Sequence, residues 1–228
     1  MSKIEWDKLG ERRYESGVNH GVLYPLKDDA YEQGYAWNGL TGVTESPDGA
    51  EPTDLWADNI KYASMRSAET FGGTIEAYTY PDEFAECDGS AAVDGATGLK
   101  IGQQTRKPFG FCYRTEIGTD TNPSAGYILH LVYNATCSPS EKAYETINDS
   151  PDAITMSWEF DTNPIAITGY PKLKPTSLLT IDSTKFTGDA KARLTALEDA
   201  LYGTTEKEPR LPLPHEVISI LKGTTSNP

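Results

Sequence analysis

The chain is short of positive charge: 20 Lys and Arg residues stand against 34 Asp and Glu in 228 residues, a formal net charge of −14. An average surface of that sign repels phosphate, which argues against a dedicated nucleic-acid binder or a protein that grips anionic membrane. Long apolar runs are also missing. No segment approaches the roughly 20 apolar residues of a membrane span, and the opening MSKIEWDKLGERRYESG has no apolar core of signal-peptide length. The expectation is a soluble product made in the cytoplasm, with no membrane anchor. Cysteine is scarce: Cys87, Cys112 and Cys137 form an odd set with no CxxC, which reads as free buried thiols rather than a disulfide framework or a zinc site.

The usual signatures of catalysis are lacking as well. His20, His130 and His215 are scattered, without HExxH or a partner nearby in sequence, so structural or surface roles are expected for them. GxSxG, Walker A and Rossmann fingerprints do not occur. The stretches Gly39-Leu40-Thr41-Gly42 and Gly95 to Gly102 contain glycine, but neither joins a clear strand to a helix as a phosphate cradle must. Paired carboxylates such as Asp82 with Glu83 and Glu159 with Asp161 are expected by chance in so acidic a chain. No DxDxDG calcium loop is present, and Asp48-Gly49, Asp88-Gly89 and Asp94-Gly95 read as turns. The expectation is a protein without enzymatic activity, metal or cofactor.

The acid that is present is segregated. No Lys or Arg occurs from Asp28 to Ile60, which holds Asp28, Asp29, Glu32, Glu45, Asp48, Glu51, Asp54 and Asp58. The same is true from Ser67 to Leu99, and from Ala143 to Pro171, where Glu145, Asp149, Asp152, Glu159 and Asp161 fall. Three solvated surfaces are the plain reading.

Hydrophobic patterning predicts a mainly β core. In Ala153–Asp161, Ile154, Met156, Trp158 and Phe160 alternate with Thr155, Ser157, Glu159 and Asp161, the period of a strand with one wet face. Further strands are expected at Gly73–Tyr80, Phe109–Ile117, Gly126–Asn134 and Thr176–Asp182, with a weaker signal over Leu55–Met65. One amphipathic helix stands out at Asp189–Tyr202, where Leu194, Leu197 and Leu201 share a stripe and Gly203 supplies a stop. Short helices are expected at Pro81–Cys87 and Pro139–Ile147, and a last turn at Pro214–Leu221. This divides the chain into an N-terminal arm and start of the domain (1–24), a single β-rich domain (25–203) with a long loop over 34–54, and a Pro-containing C-terminal arm (204–228). Trp37, Leu40 and Trp56 in and beside that loop need an apolar surface to cover them, which a neighbouring subunit would provide.

An ordered series of segments carries a resemblance: ERRYESGVNHGVLYP, AWNGLTGVTESPDGAEPTDLWADNIKY, GTIEAYTYPDEFAECDG, IGQQTRKPFGFCYRTEIG, PSEKAYETINDSPDAITMSWEF, and LEDALYG followed by PRLPLPHEVISIL. Together they resemble the major tail proteins, or tail tube proteins, of siphophages. The resemblance implies a tail-tube-type β-sandwich or barrel with a flanking helix, long loop and arms. It also implies a hexameric ring stacked into a tube through which DNA passes without specific binding, in a virion that also holds tape-measure and tail-terminator proteins. An acidic channel wall avoids the counterion-releasing phosphate contacts that Lys or Arg would make, and Glu76, Glu159 and Asp161 are the candidates for lining it. Arg106, Lys107 and Arg114 are candidates for pairing with acidic loops of the next subunit. A reading from another class is a β-sandwich carbohydrate-binding or adhesion module of a phage particle, with Trp37, Trp56 and the 13 tyrosines as stacking platforms.

Overall fold

The structure is a computed structural model that describes residues 3–31, 33–49, 51–94, 96–144, 146 and 153–223. Its strands are β1 (Arg13–Pro25), β2 (Tyr35–Trp37), β3 (Leu40–Gly49), β4 (Pro52–Ala57), β5 (Ile60–Arg66), β6 (Glu69–Ala77), β7 (Ala91–Ala92), β8 (Lys100–Ile101), β9 (Phe109–Thr119), β10 (Gly126–Cys137), β11 (Met156–Thr162) and β12 (Leu178–Asp182). Two α-helices follow, α1 (Asp189–Tyr202) and α2 (Pro214–Lys222), and the expected helix after Pro81 is a 3₁₀ turn, Asp82–Glu86. The fold is mainly β, as the patterning predicts. Eight strands form one antiparallel sheet in the order β2-β1-β9-β10-β11-β6-β3, with β12 added alongside β10.

This sheet folds over itself and carries a core on each face of its central strands. On one face Leu23, Phe109, Phe111, Tyr113 and Val132 pack against Ile75, Trp158 and Phe160 from β6 and β11, with Trp37 and Phe84 between. On the other, Val22, Tyr24, Cys112, Leu129, Leu131 and Tyr133 meet Leu194, Leu197 and Leu201 of α1, with Leu211 and Val217. Strands covered on both sides need apolar residues at nearly every position, which is why GYILHLVYN does not alternate. In β11 only one side is covered, and Trp158 and Phe160 point in while Glu159 and Asp161 point out.

Buried tyrosines tie the helical layer down. Tyr24 donates to the Leu201 carbonyl at 2.6 Å and Tyr133 to the Pro212 carbonyl at 2.9 Å. Cys87, Cys112 and Cys137 are free and buried, and burial pushes the thiols of Cys87 and Cys112 up to about 12.

Two expectations of local structure are corrected. Residues 34–54 are not a long loop: they contain β2, β3 and the start of β4. The strands were hidden because β3 beyond Thr44 and all of β4 are exposed, so no core imposes alternation, while Pro47 and Pro52 lie in an exposed two-stranded ladder where proline is tolerated. The C-terminal arm packs back over its described part: Leu211, Pro214 and Val217 are buried, and α2, where a last turn is expected, starts with Pro214 at its first turn. Residues 139–144 are not helical; the Ser140 hydroxyl accepts from Glu159 N at 3.0 Å and Lys142 pairs with Asp88 at 2.6 Å, fastening an irregular segment beside β11. Glu145 and residues 147–152, the rest of that expected helix and the acids Asp149 and Asp152, lie outside the described residues, as do Glu32 and Gly95.

Candidate assembly surface

Strands β3 to β6 form one long ribbon. The β3–β6 ladder runs from Leu40↔Ala77 to Gly49↔Glu69, and β4–β5 continues it from Pro52↔Arg66 to Ala57↔Ile60. Asp58 and Asn59 close its end with φ of 52° and 64°; positive φ at both central residues is the mark of a type I′ hairpin turn, which Asp and Asn accept. The weak signal over Leu55–Met65 is therefore a hairpin, not one strand. Pairing with β11 stops at Asp161↔Gly72, so residues beyond it form a two-stranded ladder projecting roughly 30 Å at 3.3 Å per residue.

Nothing among the described residues covers the ribbon's end. Trp56 is 69% exposed, and Leu55, Ile60, Tyr62 and Met65 are exposed with it. A lone two-stranded hairpin is marginal in water, and an apolar cluster held out on one marks an interaction surface. The N-terminal segment presents a second set, Ile4, Trp6 and Leu9. Its anchors include Gly10 N donating to Asp120 at 2.9 Å.

The root of the ribbon is fixed by chemistry that the sequence did not disclose. Glu45 lies on the inward side of β3, where its carboxylate accepts from the Tyr113 hydroxyl at 2.6 Å and meets His130 Nδ1 at 2.9 Å. The His130 ring stacks on Tyr113 with centroids 4.5 Å apart, and its Nε2 lies 3.1 Å from the Thr115 hydroxyl. The hydrogen bond from His130 is the main cause holding the Glu45 carboxyl below the usual range, aided by Tyr113 and opposed by burial. Opposite Glu45 stands Gly73, where a Cβ would lie 2.3 Å from the Thr44 carbonyl oxygen and 2.9 Å from the Phe160 ring. Only glycine fits there. Glu45 reads in sequence as one acid among many, and only His130, a polar residue inside the run ILHLVY, hinted at an interior partner.

The three carboxylates expected to act together do share a face. Register pairs Ser157 with Glu76, Glu159 with Thr74 and Asp161 with Gly72, and opposed residues in an antiparallel ladder point the same way. Through β6 the face extends to Gly42, Thr44, Ser46 and Asp48 of β3. No Lys or Arg occupies any of these paired positions. Glu76, Glu159 and Asp161 are exposed, so the open side of this part of the sheet is acidic.

The residues expected at subunit contacts separate. Trp37 is only 3% exposed, donates from Nε1 to the Thr79 carbonyl at 2.9 Å, and packs on Phe84, Phe111 and Trp158. Arg114 is enclosed by its own chain, over the rings of Tyr127 and Tyr202 at 4.2 and 4.8 Å and 2.5 Å from Glu198. These two are corrected: neighbours within the fold already satisfy them. Leu40 is half-buried and fills the space above Gly21, and Arg106 is half-buried against Gly89. Lys107 is exposed and pairs with Glu86. Trp56 remains uncovered.

No catalytic constellation emerges among the described residues. His20 sits exposed on β1, His130 serves the Glu45 cluster, and His215 is on α2. An open cavity of about 1050 Å³ beside the 3₁₀ turn is lined by Asp82, Glu83, Glu86, Asp94, Lys27 and Lys100 among others, with no histidine or cysteine in its walls.

Neither a scan against protein-family models nor a search of curated proteins finds a match to this chain. Among solved structures, similarity is found to the sheath/tube terminator of an extracellular contractile injection system, PVC, in its extended state, at 10% identity over 78% of this chain and 99% of that chain, TM-score 0.32. The tube terminating cap of the anti-feeding prophage, AFP, matches at 7% identity over 80% of this chain and 96% of that one, TM-score 0.34. The PVC sheath–tube complex matches at 10% identity over 78% and 94%, TM-score 0.31. At these identities and TM-scores the likeness does not establish a shared overall fold.

Proposed function

We propose that this chain is a structural subunit of a phage tail tube, which assembles into stacked, hexameric rings around an acidic channel that passes DNA without binding it. The observation that carries this reading is the free-standing ribbon with its uncovered Leu55, Trp56, Ile60, Tyr62 and Met65. That surface suits a protein whose working form is an assembly, not a monomer. The sequence resemblance supplies the kind of assembly, and the Lys- and Arg-free face bearing Glu76, Glu159 and Asp161 suits a wall that phosphate must slide past. Salt screens the repulsion within about 8 Å, so it prevents adhesion without barring entry. Tape-measure and terminator proteins are the further partners this reading implies. The burial of Trp37 removes one of the two tryptophans that, with the tyrosines, would serve a carbohydrate-binding alternative.

Negative-stain electron microscopy of the purified protein tests the proposal. Rings or hollow tubes are expected; a monomer at all concentrations that is stabilised by glycans would support the binding-module reading instead.

A further inference from the structure

Beside the root of the ribbon lies a cleft of about 680 Å³, bounded by residues 66–71 on one side and by Pro164 and Lys174–Leu178 on the other. Phe71, Pro164, Pro175 and Leu178 give it apolar walls, and Arg66 and Lys174 outnumber its one carboxylate, Glu69.

The end of the ribbon has the complementary chemistry. Trp56 and Ile60 are large, apolar and exposed, and Asp58 places a carboxylate at the turn between them. A chain cannot fill its own cleft this way, because the paired β4–β5 ladder, about 20 Å at 3.3 Å per residue, separates its turn from Arg66 at the cleft. We infer that the ribbon tip of one copy, Trp56 to Ile60, docks in the root cleft of a second copy, with Asp58 near Lys174. This rests on the proposed reading of the chain as an assembly subunit and names the surface that receives the ribbon. The contact joins two different patches, so it repeats head to tail, and such contacts close into rings or extend into filaments.

Thiol cross-linking tests it. The three native cysteines are buried, so a short bis-maleimide will report on introduced thiols. The variant I60C/K174C is expected to give a ladder of covalent multimers, and a mixture of I60C and K174C proteins a covalent dimer of one with the other. In a second measurement, K174E is expected to lower the assembled fraction about tenfold at an unchanged melting temperature, as loss of a charge pair at a docking surface does. Assembled particles that give no Ile60-to-Lys174 linkage, or that form equally well with K174E, overturn this inference and leave the assembly reading standing. A protein that remains monomeric under every condition overturns both.

Discussion

The four tryptophans divide the molecule in two. Trp158 is 0% and Trp37 3% exposed, both inside the interface between the folded-over halves of the sheet, whereas Trp56 is 69% and Trp6 78% exposed, on the ribbon and the N-terminal segment. The same residue type thus serves two purposes: one pair holds the monomer together and the other is left for something outside it. The strands around the buried pair are flanked by neighbours and carry side chains packed against a second layer. Among the described residues, the ribbon's β4 and β5 pair only with each other. The body is stabilised by burial, while the ribbon is an extension whose value lies in what it contacts.

That contrast breaks first at the body. Trp158→Ala is expected to destabilise the monomer by about 3–5 kcal/mol in chemical denaturation, since it empties the centre of a packed aromatic cluster. A loss below about 1 kcal/mol would mean the two halves of the sheet do not share a tight core. Gly73→Ala comes next, at about 1–3 kcal/mol, because its methyl would strike the Thr44 carbonyl and the Phe160 ring. Unchanged stability would show that the ribbon root is not closely packed.

Glu45→Gln probes the junction between body and ribbon. It exchanges a carboxylate accepting from Tyr113 and bonded to His130 for a neutral amide, with an expected loss of about 1–2 kcal/mol at neutral pH. The sign of its pH dependence follows from the lowered carboxyl. A group that is more acidic folded than unfolded contributes stability above its unfolded pKa and loses it as pH falls through the folded one. The wild-type protein should therefore lose this increment as pH drops below about 4.3, the ordinary Glu value, and E45Q should show a shallower decline over the same range. Parallel pH–stability curves would place the Glu45 contacts outside the folded-state energetics.

The smallest effect on the monomer and the largest on function meet at Trp56. Trp56→Ala removes a side chain that buries little, so monomer stability should change by less than about 0.5 kcal/mol, while light scattering should register loss of higher-order assembly. A variant that assembles like the wild type would show that the exposed tip is not an interface.

The sequence disclosed most where a core imposes a period. Alternation in β11 and the leucine stripe of α1 follow from burial on one face, and both elements lie within a few residues of the expected bounds. It disclosed least where no core acts. The ribbon's glycines, prolines and acids read as a loop because an exposed ladder has no reason to alternate, and only the Asp58-Asn59 pair hinted at a hairpin turn. Single large residues were ambiguous for the same reason: Trp37 and Trp56 look alike in sequence, yet Trp37 gained a place in the core through β2 beside β1 while Trp56 went to the ribbon's end. Pairing also brings together residues far apart in sequence, since register alone puts Glu76 and Glu159 on one face.

The most direct measurement is a cryo-EM reconstruction of particles formed by the purified protein. A hollow tube is expected, with Glu76, Glu159 and Asp161 on the inner wall and each ribbon buried against another copy. Carboxylates on the outer wall, or ribbons projecting free into solvent, would contradict it.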